Sequence, residues 1–357
     1  MQNRIERVLT NLPENFEAGL VNSFENRFYL LGFPSSAGTL LLFADKAYFI
    51  VDFRYIEAAR ARVEGIEVML QDRLYDQVLE LLKKHGVGTL AVEQSCTVGE
   101  LNALSAGLPG ITLDKGPALT AALEKTRALK EPGEIALAKE AQRITDAAFD
   151  YICTRIAPGR KERDLALEME IFMKQQGAEA LAFDTILVSG KNSSLPHGVP
   201  GEKIIEKGDF VTMDYGARYH GYNTDMTRTV AVGHATEEMR QVYDTVLQAQ
   251  LAALEAVKAG ANCRGVDKIA RDIIYAAGYE GCFGHGLGHA VGIEIHENPR
   301  FSPGAAPEDT LEPGMMMTVE PGIYLPGKFG VRIEDSVIVT ADGYDDLAKS
   351  PKNLIIL

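Results

Sequence analysis

Two stretches of this chain superpose without a gap. IAPGRKERDLALEMEIFMKQQG ends at Gly177 and VKAGANCRGVDKIARDIIYAAG ends at Gly278, an offset of 101 residues. The superposition pairs Gly159 with Gly260, Arg163 with Arg264 and Leu165 with Val266. Each copy reads as a helix, a glycine turn, a second helix and a glycine-capped exit. Each is followed by a histidine-bearing loop, with His197 after the first copy and His296 after the second, and then by a hairpin-like pair of strands that carries acids. A chance match of two helical hairpins is the alternative; two related halves are the expectation, and the cleft they share is a natural place for a site.

The first third of the chain is organised differently. RFYLLGF, GTLLLFADKAYFIVD and GTLAVEQS look like strands, while RYIEAARARV and YDQVLELLKKHG have helical apolar spacing. That alternation predicts an α/β unit around a central sheet. The charged, helix-favouring run LEKTRALKEPGEIALAKEAQRITDAAFDYI follows, and the domain boundary is placed at its start, near residue 125. A length of 357 residues suits two domains.

The two acid-bearing hairpins carry the chemistry. In DFVTMDYGARYHGYNTDMTRTVAV, Asp214 and Asp225 sit on alternating apolar strands either side of a turn rich in Gly, Asn and Tyr. A turn centred on residues 219 and 220 would set the two carboxylates directly opposite each other. Paired acids on adjacent strands repel unless a cation sits between them or one is protonated; solvated strand-end aspartates are the alternative. In LEPGMMMTVEPGIYLPGKFGVRIEDSVIV, Glu320 ends an apolar run and Glu334 lies inside one, where burial without a counter-ion is costly. Arg332, two residues before Glu334, offers a plain ion pair instead. Asp335 points to the other face and is read as solvated or structural.

Of the seven histidines, His285, His289 and His296 fall within GHGLGHAVGIEIHENP, residues 284–299. Loop histidines are commonly solvated; the other reading is a metal site. Carboxylates with a single imidazole do not make a structural zinc site, which favours Cys and His. They suit a pair of divalent ions bridged by carboxylates. HGLGH also lacks the glutamate of the H-E-x-x-H helix.

Composition removes other classes. With 46% hydrophobic and 24% charged residues the chain is globular, not disordered. A formal charge of −14 weighs against nucleic acid or an anionic membrane as partner. No run of eighteen apolar residues is present, so no membrane span is expected. The opening MQNRIERVLTNLPENF reads as an amphipathic helix, not a secretory signal. Cys96, Cys153, Cys263 and Cys282 show no C-x-x-C spacing, which fits reduced thiols in a cytoplasmic protein.

The motifs MDYG (Asp214), NTDMTRT (Asp225), GHAVG (His289), TVEPGIY (Glu320) and RIED (Glu334) follow one another in an order that resembles the pita-bread metallopeptidases, the family of methionine aminopeptidase, aminopeptidase P and prolidase. The resemblance covers the whole chain. It implies an α/β creatinase-like N-terminal domain over 1–126 and, over 127–357, an α+β pita-bread catalytic domain built from two pseudo-symmetric halves. It further implies that Asp214 chelates one metal, His289 and Glu320 the other, and that Asp225 and Glu334 bridge both. Glu320 would also move the proton between attacking water and leaving amine. His197 and His296 match substrate-side positions that hydrogen-bond the scissile carbonyl. His285 matches a wall position, and Tyr324 and Arg332 match positions beside the ligands. Arg300 matches a place that in prolidases can hold the substrate's terminal carboxylate; arginine at this place also occurs in some longer-peptide enzymes, and a surface arginine without a role is the alternative.

The long N-terminal domain and GHGLGHAVGIEIH resemble the Xaa-Pro-cleaving branch more than methionine aminopeptidase. The activity this implies is an Xaa-Pro aminopeptidase, with an Xaa-Pro dipeptidase acting on dipeptides as the alternative. Proline-containing peptides are the implied substrates, and a homodimer is the implied assembly. The cofactor is two divalent ions, manganese first, with Co, Zn or Fe accepted by such a site. Creatinase, which works without metal, is set aside by the complete ligand set, and methionine aminopeptidase by the length of the N-terminal part. A non-catalytic scaffold, the reading from another class, is set aside because the ligands are kept and the chain is acidic.

Overall fold

The computed structural model describes residues 2–357, which form two compact units, one ending at Arg127 and the other running Ala128–Leu357. Six strands make the sheet of the first unit: β1 (Ala18–Val21), β2 (Thr39–Phe43), β3 (Ala47–Val51), β4 (Glu67–Leu70), β5 (Thr89–Val92) and β6 (Thr112–Asp114). Their order is β4-β3-β2-β1-β5-β6. β1–β2 and β2–β3 are antiparallel, and the other three pairs are parallel. TLLLF and AYFIV are apolar at nearly every position because both faces of the sheet are covered. Val78, Leu81 and Leu82 of the helix Leu74–Lys84 and Leu104 of the helix Val98–Gly107 pack on it.

One expected strand is a helix. RFYLLGF lies mostly in the helix Phe24–Leu31. Ser23 caps its start by accepting from the Asn26 amide, and Gly32, at φ 59°, closes it in the left-handed conformation. A short apolar run does not distinguish strand from helix, and here the caps decide.

The second unit holds four long helices: α1 (Pro132–Cys153), α2 (Glu162–Gln175), α3 (Glu237–Glu255) and α4 (Cys263–Ala276). Gly159 and Gly260 turn the chain at φ 91° and 77°, and Gly177 and Gly278 close the helical pairs, both with positive φ. The tertiary contacts repeat too. The Gly159 amide donates to Ile205 O at 2.9 Å and the Gly260 amide to Leu311 O at 2.8 Å. Each half has its own core. Ile144, Ile152, Leu165 and Met169 pack with Met213 and Val230, and Val242, Val246, Val266 and Ile274 pack with Met317 and Val337.

Thirteen strands belong to this unit: β7 (Ala180–Leu181), β8 (Ile186–Ser189), β9 (Phe210–Tyr215), β10 (Ala217–Tyr219), β11 (Tyr222–Asn223), β12 (Met226–Ala231), β13 (Gly288–Ala290), β14 (Glu297–Phe301), β15 (Met316–Val319), β16 (Gly322–Leu325), β17 (Phe329–Arg332), β18 (Asp335–Val339) and β19 (Tyr344–Asp346). They order as β12-β9-β8, β11-β10-β7, β14-β13-β15-β18-β19 and the pair β16-β17.

The first hairpin turns at His220–Gly221, both with positive φ, one residue beyond the expected centre. Asp214 is therefore paired with Thr227, and Asp225 lies diagonally across, not directly opposite. The displacement is two residues along the partner strand, which preserves the face. Both acids still point the same way. Between the ladders the chains pass so closely that a Cβ on Gly216 would meet Thr224 O at 1.7 Å. In the second hairpin Val319 pairs with Asp335 and Gly322 with Arg332, so the same register sets Glu320 opposite Glu334.

Candidate metal centre

β9, the run into β12, β13, and the two joints β15–β16 and β17–β18 deliver Asp214, Asp225, His289, Glu320 and Glu334 to one cavity of about 580 Å³. One ligand atom each from Asp225, His289 and Glu334 lies within 4.8 Å of the others. His289 Nε2 is 3.7 Å from Asp225 Oδ2 and 3.5 Å from Glu320 Oε1. Its Nδ1 is 3.0 Å from the Ala290 carbonyl, which can only accept, so Nδ1 carries the hydrogen. The Nε2 lone pair is then turned toward the acids. Burial lowers the His289 pKa to about 4, which keeps the ring neutral.

The carboxylates are not self-sufficient. Asp214 Oδ1, Asp225 Oδ1 and Glu334 Oε1 are buried and have no hydrogen-bond partner. Burial, then the neighbouring acids Glu334, Asp214 and Glu320, raise the Asp225 pKa well above the carboxylate range. Glu334 is raised in the same way, by burial first and by Glu320 and Asp214 next. Burial pushes Glu320 up to about 8. Orphaned, mutually repelling oxygens around a neutral imidazole are stable with protons or with cations. The donor set, hard oxygens with one nitrogen, fits divalent metal ions.

Arg332 is the cation inside this cluster, yet it does not pair with Glu334 as the sequence alternative had it. Its Nη2 donates to Asp214 Oδ2 at 2.6 Å, Nη1 to Tyr324 OH at 2.7 Å, and Nε to Thr227 Oγ1 at 3.0 Å. Thr227 in turn donates to Glu334 Oε2 at 2.7 Å. Thr227 stands out only in retrospect: it follows Asp225 by two residues in TDMTRT, the spacing of one strand face. Asp335, read as solvated or structural, is fully buried and structural, with Arg228 Nη2 at 2.6 Å and Lys352 Nζ at 2.9 Å.

The remaining histidines differ in setting. His285 Nδ1 meets Gly286 O at 2.8 Å and its Nε2 meets Tyr324 OH at 2.9 Å, so both ring nitrogens are occupied within the protein. His197 and His296 are exposed on the cavity lining, and the His296 ring packs edge-on against His289 at 4.5 Å. Tyr324 lies behind the lining, buried between His285 and Arg332. Arg300, cross-strand partner of His289, also lines the cavity, and its guanidinium makes no hydrogen bond or ion pair among the described residues. Phe183, Asp184 and Ile186 complete one wall, a contribution that sequence reasoning missed.

Known proteins are similar to this chain in sequence and fold over nearly its full length. The description "Metallopeptidase family M24" matches residues 136–341, and "Creatinase/Prolidase N-terminal domain" matches residues 4–128. The Xaa-Pro dipeptidase of Pyrococcus furiosus is 36% identical, covering 99% of this chain and 100% of its own. The solved Xaa-Pro dipeptidase from Bacillus anthracis is 42% identical with a TM-score of 0.95, over 100% and 99% of the two chains. The X-Pro aminopeptidase from Thermotoga maritima is 32% identical with a TM-score of 0.89, over 99% and 100%. With its creatinase-type N-terminal domain and its duplicated catalytic unit, the chain belongs to metallopeptidase family M24.

Proposed function

We propose that this protein is a metal-dependent Xaa-Pro dipeptidase. The first reading of the sequence, an Xaa-Pro aminopeptidase, gives way to its alternative on two grounds. Full-length similarity to dipeptidases from Pyrococcus furiosus and Bacillus anthracis supports it. The observation that carries it is Arg300: a guanidinium on the cavity wall, with no carboxylate of the protein paired to it, suits a carboxylate brought by the substrate. In a dipeptide that carboxylate sits on the proline itself; in a longer peptide it is carried away from the site. Similarity to the Thermotoga maritima X-Pro aminopeptidase keeps the longer-peptide activity as the second reading.

In this reading Asp214, Asp225, His289, Glu320 and Glu334 hold two divalent ions, which supply Lewis acidity and a water acidic enough to react near neutral pH. Asp214, Asp225 and Glu334 would each offer such an ion a buried oxygen that otherwise has no partner. Glu320 holds and passes on the proton bound for the leaving nitrogen. His197 and His296 hydrogen-bond the scissile carbonyl oxygen as charge develops on it. His285, tied through Tyr324 to Arg332, shapes the wall. An Xaa-Pro bond offers no N–H, so recognition falls to its carbonyl and the terminal carboxylate.

The test compares Ala-Pro with its C-terminal amide in the wild type and in Arg300→Met. A preference for the free acid of about tenfold or more in kcat/KM, lost in the variant, supports the reading. Equal turnover of acid and amide by the wild type refutes it.

A further inference from the structure

Lys130 lies in the link before α1, and its ammonium is buried, with only 2% of the side chain exposed. Its Nζ is 2.9 Å from Glu297 Oε2, and the Glu297 side chain is 5% exposed. Nothing in the chemistry above uses this pair. A buried lysine-carboxylate pair adds little net stability, so its position is the informative fact.

Glu297 is the residue after His296 and the first of β14. Its Cα partner is Ala290, so the six residues 291–296 form a loop whose ends are closed by that pairing. The loop rests on the ion pair. A Cβ on Gly292 would lie 2.9 Å from Glu297 Oε2 and 3.0 Å from Lys130 Cε. Glu297 Oε1 accepts from the Glu294 amide at 3.2 Å. From the other side Asn223 grips the loop, its amide donating to Gly292 O and its Nδ2 to Ile293 O, both at 2.8 Å. Lys130 itself is pinned by its amide to Gly314 O at 2.9 Å, just ahead of the strand that leads to Glu320. The exposed His296 thus owes its placement to a six-residue loop held between two clamps.

We propose that Lys130 is a positioning residue: by locking Glu297 under the loop 291–296 it fixes where His296 meets the scissile carbonyl. The inference rests on the substrate role given to His296. Displacing a catalytic group by about 1 Å costs on the order of a hundredfold in rate. Lys130→Met should therefore lower kcat for Ala-Pro by about ten- to a hundredfold, with KM and bound metal per chain unchanged, and Lys130→Arg should recover much of the loss.

The deciding experiment is a double-mutant cycle between Lys130→Met and His296→Ala in the metal-loaded enzyme, with metal content measured by atomic emission. The expected result is that His296→Ala alone lowers kcat by about a hundredfold and that adding Lys130→Met then changes kcat by less than about threefold. Where Lys130→Met alone does not fold, Lys130→Met with Glu297→Gln removes both charges together, leaves no uncompensated buried ion, and enters the same cycle. A full additional loss from the Lys130 change in the His296→Ala background overturns the positioning role and leaves that of His296 standing. A drop in bound metal also overturns it, since Lys130 would then act through the ligands. Wild-type kcat in His296→Ala overturns the substrate role of His296 and the inference with it.

Discussion

Arg332 Nη2 donates to Asp214 Oδ2 at 2.6 Å, and this bond places a buried guanidinium against a group of four acids. Arg332 is the only cation hydrogen-bonded to any of Asp214, Asp225, Glu320 and Glu334 among the described residues. Arg332→Met removes it and leaves the acids to repel. The metal-free variant should be less stable than metal-free wild type by about 3–5 kcal/mol in urea denaturation. Excess Mn²⁺ should recover part of the difference, and equal stability of the two metal-free proteins would show that Arg332 does not balance the cluster.

The pH dependence of the metal-free protein has a definite sign. Burial and neighbouring acids raise Asp225 and Glu334, and burial pushes Glu320 to about 8 from an ordinary value of 4.5. Above 4.5 the folded protein holds protons that the unfolded chain has released, so this stabilising contribution is lost as pH rises toward 8. His285 and His289, both lowered by burial from 6.5 to about 4, act in the opposite sense, costing stability as pH falls below 6.5. The two effects oppose each other below 6.5, and between 6.5 and 8 the acids act alone. Thermal melts of chelator-treated protein should therefore fall from pH 6.5 to pH 8, and saturating metal should abolish the slope. A rising slope in the metal-free protein would contradict the cluster's protonation.

Thr227→Val keeps the shape of a fully buried side chain and deletes one hydroxyl. Glu334 Oε2 loses its donor and Arg332 Nε its acceptor. Groups that orient ligands in this way are worth about 10–100-fold in metal affinity. Competition with a chromophoric chelator would measure the loss, and affinity within twofold of wild type would mean that Thr227 does not orient Glu334.

Gly216 admits no side chain, because the nearest atom to an added Cβ is a backbone oxygen that cannot move aside alone. Gly216→Ala should force the two halves of the first hairpin apart and cost about 3 kcal/mol or more. The register of Asp214 and Asp225 goes with it, so bound metal should fall along with the melting temperature. A variant with wild-type melting and metal content would contradict the close crossing.

What could be read from the sequence follows from the cost of each feature. Acids inside apolar strands are expensive to bury, so Asp214, Asp225, Glu320 and Glu334 stand out one by one. The repeat ending at Gly177 and Gly278 is visible because both copies need glycine where φ is positive. Period-two alternation kept Asp214 and Asp225 on one face even with the turn misplaced by a residue, since the slip was even in the ladder. RFYLLGF misled because seven apolar-rich residues carry no period, and Ser23 and Gly32 outweighed its strand-like composition. Partners distant in sequence were out of reach: Arg332 choosing Asp214 over the nearby Glu334, or Lys130 meeting Glu297. Those choices depend on how the strands pack, which no local pattern encodes.

The proposed activity is metal-dependent hydrolysis of Xaa-Pro dipeptides. The most direct measurement is hydrolysis of Ala-Pro and Ala-Pro-Ala by chelator-stripped protein, with and without added Mn²⁺, Co²⁺, Zn²⁺ or Fe²⁺. Cleavage of Ala-Pro that requires added metal, with the tripeptide cut at least about tenfold more slowly in kcat/KM, is the predicted result. Release of alanine from the tripeptide with the dipeptide left intact, or no cleavage of either peptide with any of these ions, would contradict it.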